Sequence, residues 1–378
     1  MIPITRPSVG EEEAQAAGEA VLSGWLSQGT RVQGFEEAVA RYVGAPHAVA
    51  TSNCTTALHL ALIAAGVGRG DQVICPSFSF IATANAILHA GAEPVFVDIE
   101  PDTYNLDPER IEAALTPKTR AIVPVDQIGL AADIPAVGEI ARRHGLLVVE
   151  DAAPSLGATV GRQRVGALSD FTCFSFHPRK SITTGEGGMI TTADAEAAAR
   201  LRRLRSHGAS TSDLSRHRSA TLDFEEYAEL GFNYRMTDIQ AAIGLVQMNR
   251  LDDILAERRR LAHRYIERLA DLEGAVAPTE PAGRLHTFQS FCVRLPSGTR
   301  SRVMADLASA GIASRRGVMA IHLEPFYRAL SPGMRLPETE GAAADTLLLP
   351  LFAGMTDDEQ DQVLDALARS LRSSAAVA

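Results

Sequence analysis

One lysine stands in company that suits chemistry. Residues 174–189 read Phe174-Ser175-Phe176-His177-Pro178-Arg179-Lys180-Ser181-Ile182-Thr183-Thr184-Gly185-Glu186-Gly187-Gly188-Met189. An apolar run ends, Pro178 breaks it, and Lys180 falls in a polar turn that closes on glycines. That is the setting of a Schiff-base amine held at a sheet edge beside a phosphate-bearing cofactor. The same string also suits a surface β-turn with a Gly-rich tip. Of 36 basic residues only Lys118 and Lys180 are lysines. Codon bias in a GC-rich genome explains most of this, yet guanidinium never gives up its proton and only lysine offers an amine that does. Lys118, in Thr116-Pro117-Lys118-Thr119, reads as a solvated turn.

Two further groups carry a similar double meaning. Leu147-Val148-Val149-Glu150-Asp151 ends an apolar strand in paired carboxylates. Ligands of open α/β sheets bind beyond the carboxyl ends of strands. An aspartate there keeps a heterocyclic nitrogen protonated, or simply caps a helix. Thr51-Ser52-Asn53-Cys54-Thr55-Thr56 opens a helix whose first amides and hydroxyls suit an anion, or serve only as capping. Anion site, carboxylate and lysine all fall at ends of successive strands of one α/β unit, and it is this joint occurrence that argues for a site.

The elements that must position them follow from periodicity. Strand-like runs at 48–51, 72–75, 94–98, 121–125 and 146–150 alternate with helical patterns at 55–66, 81–90, 108–115 and 136–144. The runs are apolar on both faces, as strands of a covered parallel sheet are. Strands at 171–176 and 189–192 flank the lysine turn, and a helix covers 195–206. The polar stretch 208–229 is long for a connector and reads as a functional loop or lid. One charged helix is expected over 237–272, then a strand at 288–293 and a helix at 302–310. The expected fold is α/β: a large domain over 1–250 with a mostly parallel sheet covered by helices, and a smaller α+β domain over 251–378.

Composition narrows the function classes. Hydrophobic residues at 46% and charged residues at 22% are ordinary for a soluble globular chain. No apolar run reaches a bilayer span and the N-terminus lacks a signal peptide's apolar stretch, so a cytoplasmic protein with no membrane partner is expected. A net charge of -10 without a basic block argues against a nucleic-acid partner. The four cysteines form no C-x-x-C pair or metal-like cluster, so no metal is expected.

The segment over 174–189 resembles the lysine motif of the DegT/DnrJ/EryC1/StrS aminotransferases, enzymes of pyridoxal-phosphate (PLP) fold type I. Ser23-Gly24-Trp25-Leu26-Ser27-Gln28-Gly29, Pro76-Ser77-Phe78-Ser79-Phe80-Ile81-Ala82-Thr83-Ala84-Asn85, Val97-Asp98-Ile99, Glu150-Asp151-Ala152-Ala153 and Asn233-Tyr234-Arg235-Met236 fall in family order. The resemblance implies that Lys180 forms the Schiff base with PLP and shuttles protons, that Asp151 pairs with the pyridine nitrogen, and that Phe80 stacks on the ring. It implies that Ser175 and the amides of Cys54 and Thr55 hold the phosphate. Asn233 would reach that phosphate from the partner subunit, which makes a homodimer with shared active sites obligatory. Arg315 and Arg316 are candidates for ligand phosphates or carboxylates, by their fork geometry, or form a solvated basic turn.

Three positions depart from the family pattern. Cys54 replaces a glycine but keeps its amide. Pro154 replaces a Gln or His near the cofactor's phenolic oxygen and donates nothing. Asp126 replaces a His near the active site, where a carboxylate would repel phosphate and favour a cationic or hydroxyl-rich substrate. The expected reaction, as the resemblance implies, moves an amino group from glutamate or glutamine to a keto-sugar of the nucleotide-linked kind, with an aminocyclitol ketone as the close alternative. The related sugar dehydratases carry His in place of the lysine, so Lys180 argues against them. A non-catalytic regulatory protein of the same fold is the reading from another class, against which the intact Lys180 and Asp151 speak.

Overall fold

The computed structural model describes residues 1–211 and 226–375. Two helices open the chain, α1 (Glu11–Leu22) and α2 (Thr30–Val43). Strands and helices then alternate: β1 (His47–Thr51), α3 (Cys54–Ala64), β2 (Gln72–Pro76), α4 (Ala82–His89), β3 (Glu93–Val97), α5 (Ile111–Ala114), β4 (Thr119–Ile122), α6 (Ile134–His144) and β5 (Leu147–Asp151). Next come β6 (Thr159–Val160), β7 (Gln163–Arg164), β8 (Phe171–Ser175), β9 (Gly188–Thr192) and α7 (Ala195–Leu204). The remainder holds α8 (Asp238–Asn249), α9 (Leu251–Leu269), β10 (Arg284–Leu285), β11 (Phe291–Arg294), α10 (Arg300–Ser309), β12 (Arg315–Arg316), α11 (Pro325–Leu330), α12 (Pro337–Asp345), β13 (Thr346–Leu349) and α13 (Asp357–Ala375).

The central sheet has the order β1-β9-β8-β5-β4-β2-β3. Its pairs from β3 to β8 are parallel, while β8–β9 and β9–β1 are antiparallel. The one reversed strand is β9: β1, antiparallel to β9, points the same way as β2, β3, β4, β5 and β8, so the expected mostly parallel sheet holds and the reversal belongs to the strand that follows the lysine turn. The chain enters at β2, adds β3 on one side and β4 on the other, which makes the switch point where α/β sheets bind ligands. Both faces are covered. The α3 helix is apolar all round, with Leu58, Leu60, Ala61 and Leu62 buried, as a helix sunk into a core should be.

The single helix expected over 237–272 is broken in two at Arg250, whose backbone leaves helical values. The Arg250 guanidinium is drawn to Glu13 and to the Ser8 carbonyl, 3.0 Å away. This tertiary tie marks the break. A second core surrounds the small antiparallel sheet β11-β13-β12, with Tyr265, Phe291, Leu307 and Leu367. Ile2 belongs to that core: its N–H donates to Gly311 O (2.9 Å) and its carbonyl accepts from Ala313 N (2.9 Å). Most of the expected loop over 208–229 lies outside the described residues. Among the described residues no helix is long and apolar enough to cross a membrane, and no cluster of His, Cys, Asp and Glu could hold a metal.

Candidate active site

Sheet register gathers the expected groups at one end. Ser175 at the end of β8 lies opposite Gly188 at the start of β9, and Gly188 lies opposite Thr51 at the end of β1. A Cβ on Gly188 would stand 2.4 Å from the Asn53 carbonyl oxygen, so glycine lets the start of α3 press against this strand. Asn53 caps α3 by accepting from Thr56 N (2.9 Å). The preceding helical amides, Cys54 and Thr55, have no intrahelical acceptor and point out of the helix end. With the Ser175 hydroxyl at the neighbouring strand end, they make a cradle suited to an anion.

Asp151, at the end of β5, is buried. Thr83 Oγ1 donates to its Oδ2 at 2.7 Å, and Ser79 stands behind Thr83 at 2.8 Å. Burial pushes the Asp151 carboxyl above its usual range, while Thr83, Lys180 and the Ala153 amide pull it down. Phe80 follows Ser79 in the same turn, and its large ring is left 65% exposed. Thr83 was not singled out from sequence, although Ser79 and Thr83 are one helical turn apart and share a face.

Lys180 occupies the β8–β9 turn, its N–H bonded to the His177 carbonyl at 2.8 Å. The residue is half-buried, with its amine in desolvated surroundings. Burial holds the amine below the usual lysine range; Cys54 and Asp151 pull it upward and Arg179 pulls it down. No described carboxylate closes an ion pair on it, so burial shifts the balance toward the neutral, nucleophilic form of the amine. The adjacent Ser181 hydroxyl is buried without a hydrogen-bond partner. An anion cradle, a buried carboxylate, an open aromatic face and a desolvated amine together fit a phosphorylated pyridine aldehyde.

Asp126 requires a correction. The side chain is fully buried and cannot meet a substrate: its oxygens accept from Ala132 N (2.8 Å) and Ser155 Oγ (2.6 Å). Its main chain pairs with Asp151, Asp126 N to Asp151 O at 3.1 Å, so it forms part of the wall behind that residue. Burial and then Glu150 push the Asp126 carboxyl well above its usual range. Glu150 is also fully buried; burial raises it too, against hydrogen bonds from Thr172 and Ser169, and its Oε1 finds no donor. A folded-state value above the unfolded one contributes stability at low pH that is lost as pH rises through the folded value. Asp126→Asn removes that loss and offers Glu150 an amide donor. Relative to wild type, its melting temperature should rise between about pH 5 and pH 8, the window above the unfolded carboxylate range. A constant difference across that series would show that Asp126 does not titrate there.

The other expected residues are less gathered. Arg315 and Arg316 are exposed on β12, with Arg316 3.4 Å from Glu324. The chain beyond them is anchored next to the site, Ile321 N donating to Ser77 O at 2.8 Å. Asn233 bridges Ser206, and its neighbour Tyr234 accepts from Ser52 N (2.8 Å), one residue before the α3 cap. The Pro154 carbonyl accepts from Thr287 Oγ1 at 3.2 Å.

A profile of the DegT/DnrJ/EryC1/StrS aminotransferase family matches residues 7–368. The chain belongs to this family. Among its relatives, GDP-perosamine synthase of Caulobacter vibrioides is 44% identical over 372 residues, covering 97% of each chain. The aminotransferase TlmJ from Streptoalloteichus hindustanus has 33% identity and a TM-score of 0.92, with 99% of this chain and 100% of that one covered. The Streptococcus pneumoniae protein Spr1654 in its PLP-form has 28% identity and a TM-score of 0.92, covering 98% and 99%. This chain is thus an aminotransferase with the family's α/β fold, and the site described above is where its amine transfer is to be sought.

Proposed function

We propose that this aminotransferase uses PLP to move an amino group from glutamate or glutamine to the ketone of a nucleotide-linked sugar, in the cytoplasm. The observation that carries the reading is the desolvated Lys180 amine beside buried Asp151, next to the anion cradle at the start of α3. Relatives that include a GDP-perosamine synthase support a sugar acceptor.

PLP supplies an electron sink that lets a Cα–H bond of the amino donor ionise. The rest falls to the chain. With the cofactor bound, the Cys54 and Thr55 amides and Ser175 would hold its phosphate. Asp151, oriented by Thr83, would present its carboxylate to the ring nitrogen. Phe80 would pack on the ring. The Lys180 amine, held below the usual lysine range by burial, would supply the nucleophile that anchors the cofactor and would move a proton to and from the donor's Cα. Asn233 is assigned to the partner subunit's phosphate site, so the active unit is a homodimer. Arg315 and Arg316 are assigned to the phosphates of the acceptor. On this reading the chain divides into a cofactor-binding unit over 1–250 and a small unit over 251–378. In support, Leu251, Ile254 and Leu255 of α9 pack into the first core, and Leu261, Tyr265 and Leu269 into the second.

The test offers the PLP-loaded protein an amino donor with a panel of ketones: nucleotide-linked keto-sugars, the free keto-sugars, and a keto-inositol. Amine should appear on the nucleotide-linked sugar, with 2-oxo acid released from the donor. Turnover confined to the keto-inositol would transfer the assignment to aminocyclitols.

A further inference from the structure

Of the four non-glycine residues that hold left-handed backbone among the described residues, a conformation that L side chains seldom adopt, two pack on each other. Ile128 has φ 64° and Phe288 has φ 46°. They lie in segments packed on each other: Thr287 N donates to Gly129 O (3.0 Å) and Ser290 N to Ile128 O (3.4 Å). A Cβ on Gly129 would stand 3.0 Å from the Gln289 amide nitrogen, so the approach is tight. Strain of this kind persists only where surroundings over-determine it. Here they do. Arg258 of α9, fully buried, reaches the carbonyls of Phe288 (3.1 Å), Gln289 (2.5 Å) and Leu351 (3.3 Å). Every one of those acceptors is main chain.

What this clamp holds in place is the Gln289 side chain. Its Nε2 donates to the Arg179 carbonyl at 2.5 Å, on the peptide immediately before Lys180. Its Oε1 accepts from Ser290 Oγ at 3.2 Å. Two residues further on, Phe291 begins β11 of the small sheet. The lysine turn is thus tied on one side to α8, by Thr183 N on Gln247 Oε1 (3.2 Å), and on the other to the strained turn that feeds the small sheet.

We propose that Gln289 is a positioning residue for Lys180, carrying the placement of the small sheet into the turn that presents the amine. The proposal rests on the aminotransferase reading of Lys180. Gln289 touches no reacting atom; it acts through the Arg179 peptide. A substrate gripped by the small unit would, through this bond, hold the amine at its working position.

The test uses the cofactor-free protein, so it stands apart from any failure of the substrate assignment. Lys118 and Lys180 are the only lysines, and Lys118 serves as an internal reference in the same tube. Acetic anhydride is pulsed over a pH series, and acetylation of each lysine is read by peptide mass spectrometry. In wild type the Lys180 labelling midpoint should fall below the ordinary lysine range, with Cys54, Asp151 and Arg179 as the charged or ionisable groups facing the amine. Gln289→Met keeps the length of the side chain and removes the donor. It should release the turn, let water reach the amine, and shift the midpoint toward the ordinary range by about half a pH unit, roughly a threefold change in neutral fraction. A side chain that merely filled space would leave that midpoint alone. An unchanged midpoint in Gln289→Met overturns the proposal.

Discussion

Lys180→Met should abolish amine transfer, lowering turnover by at least about 10³-fold, because the nucleophile and the proton carrier are one atom. Borohydride treatment of the PLP-loaded wild type should fix the cofactor on the peptide that holds Lys180, and on no peptide of the variant. The cofactor-free variant should nonetheless melt no lower than wild type near neutral pH. The sign follows from the amine's depressed value. A lysine that binds its proton less readily when folded loses stability as pH falls through its folded value, and methionine has no such loss. Function and stability thus pull this residue in opposite directions, as buried catalytic groups often do. Turnover within tenfold of wild type would remove Lys180 from the reaction.

Asp151→Asn should be the next most damaging change, with kcat falling about 10²–10³-fold. The amide oxygen can keep the 2.7 Å bond from Thr83, and only the long 3.3 Å contact from the Ala153 amide is given up, so the fold around it is kept. What disappears is the negative charge opposite the ring nitrogen. Since the carboxylate is assigned to the ring rather than to the acceptor, KM for the acceptor should stay within about threefold. Steady-state kinetics over a range of acceptor concentrations separate the two quantities. A variant that raised KM and spared kcat would place Asp151 on the substrate instead.

The sequence was most readable where a single physical rule acted alone. Apolar runs marked β2, β3 and β5 within a residue and β4 within three, because strands covered on both faces have no reason to alternate. The Lys180 turn was legible from Pro178 and the glycines that follow. The reversal of β9 was not, since a short apolar run reads alike in either direction and its partners, as in Thr192 opposite His47, lie far away in the chain. The break at Arg250 was hidden for a related reason: arginine is a good helix former, and the pull comes from Ser8 and Glu13. Asp126 was expected to face the ligand because it stands where the family usually carries a His near the active site. Its side chain instead turns inward to Ser155 and the Ala132 amide, a direction set by how Val125 pairs with Asp151.

The lodging of Ile2 in the small unit's core has a consequence for the order of events at the ribosome. The residues that receive it, Gly311 and Ala313, are made some three hundred positions later. The Ile2 segment can therefore take its seat only after they emerge, and a chain cut short before them would carry an open seam in its smaller core.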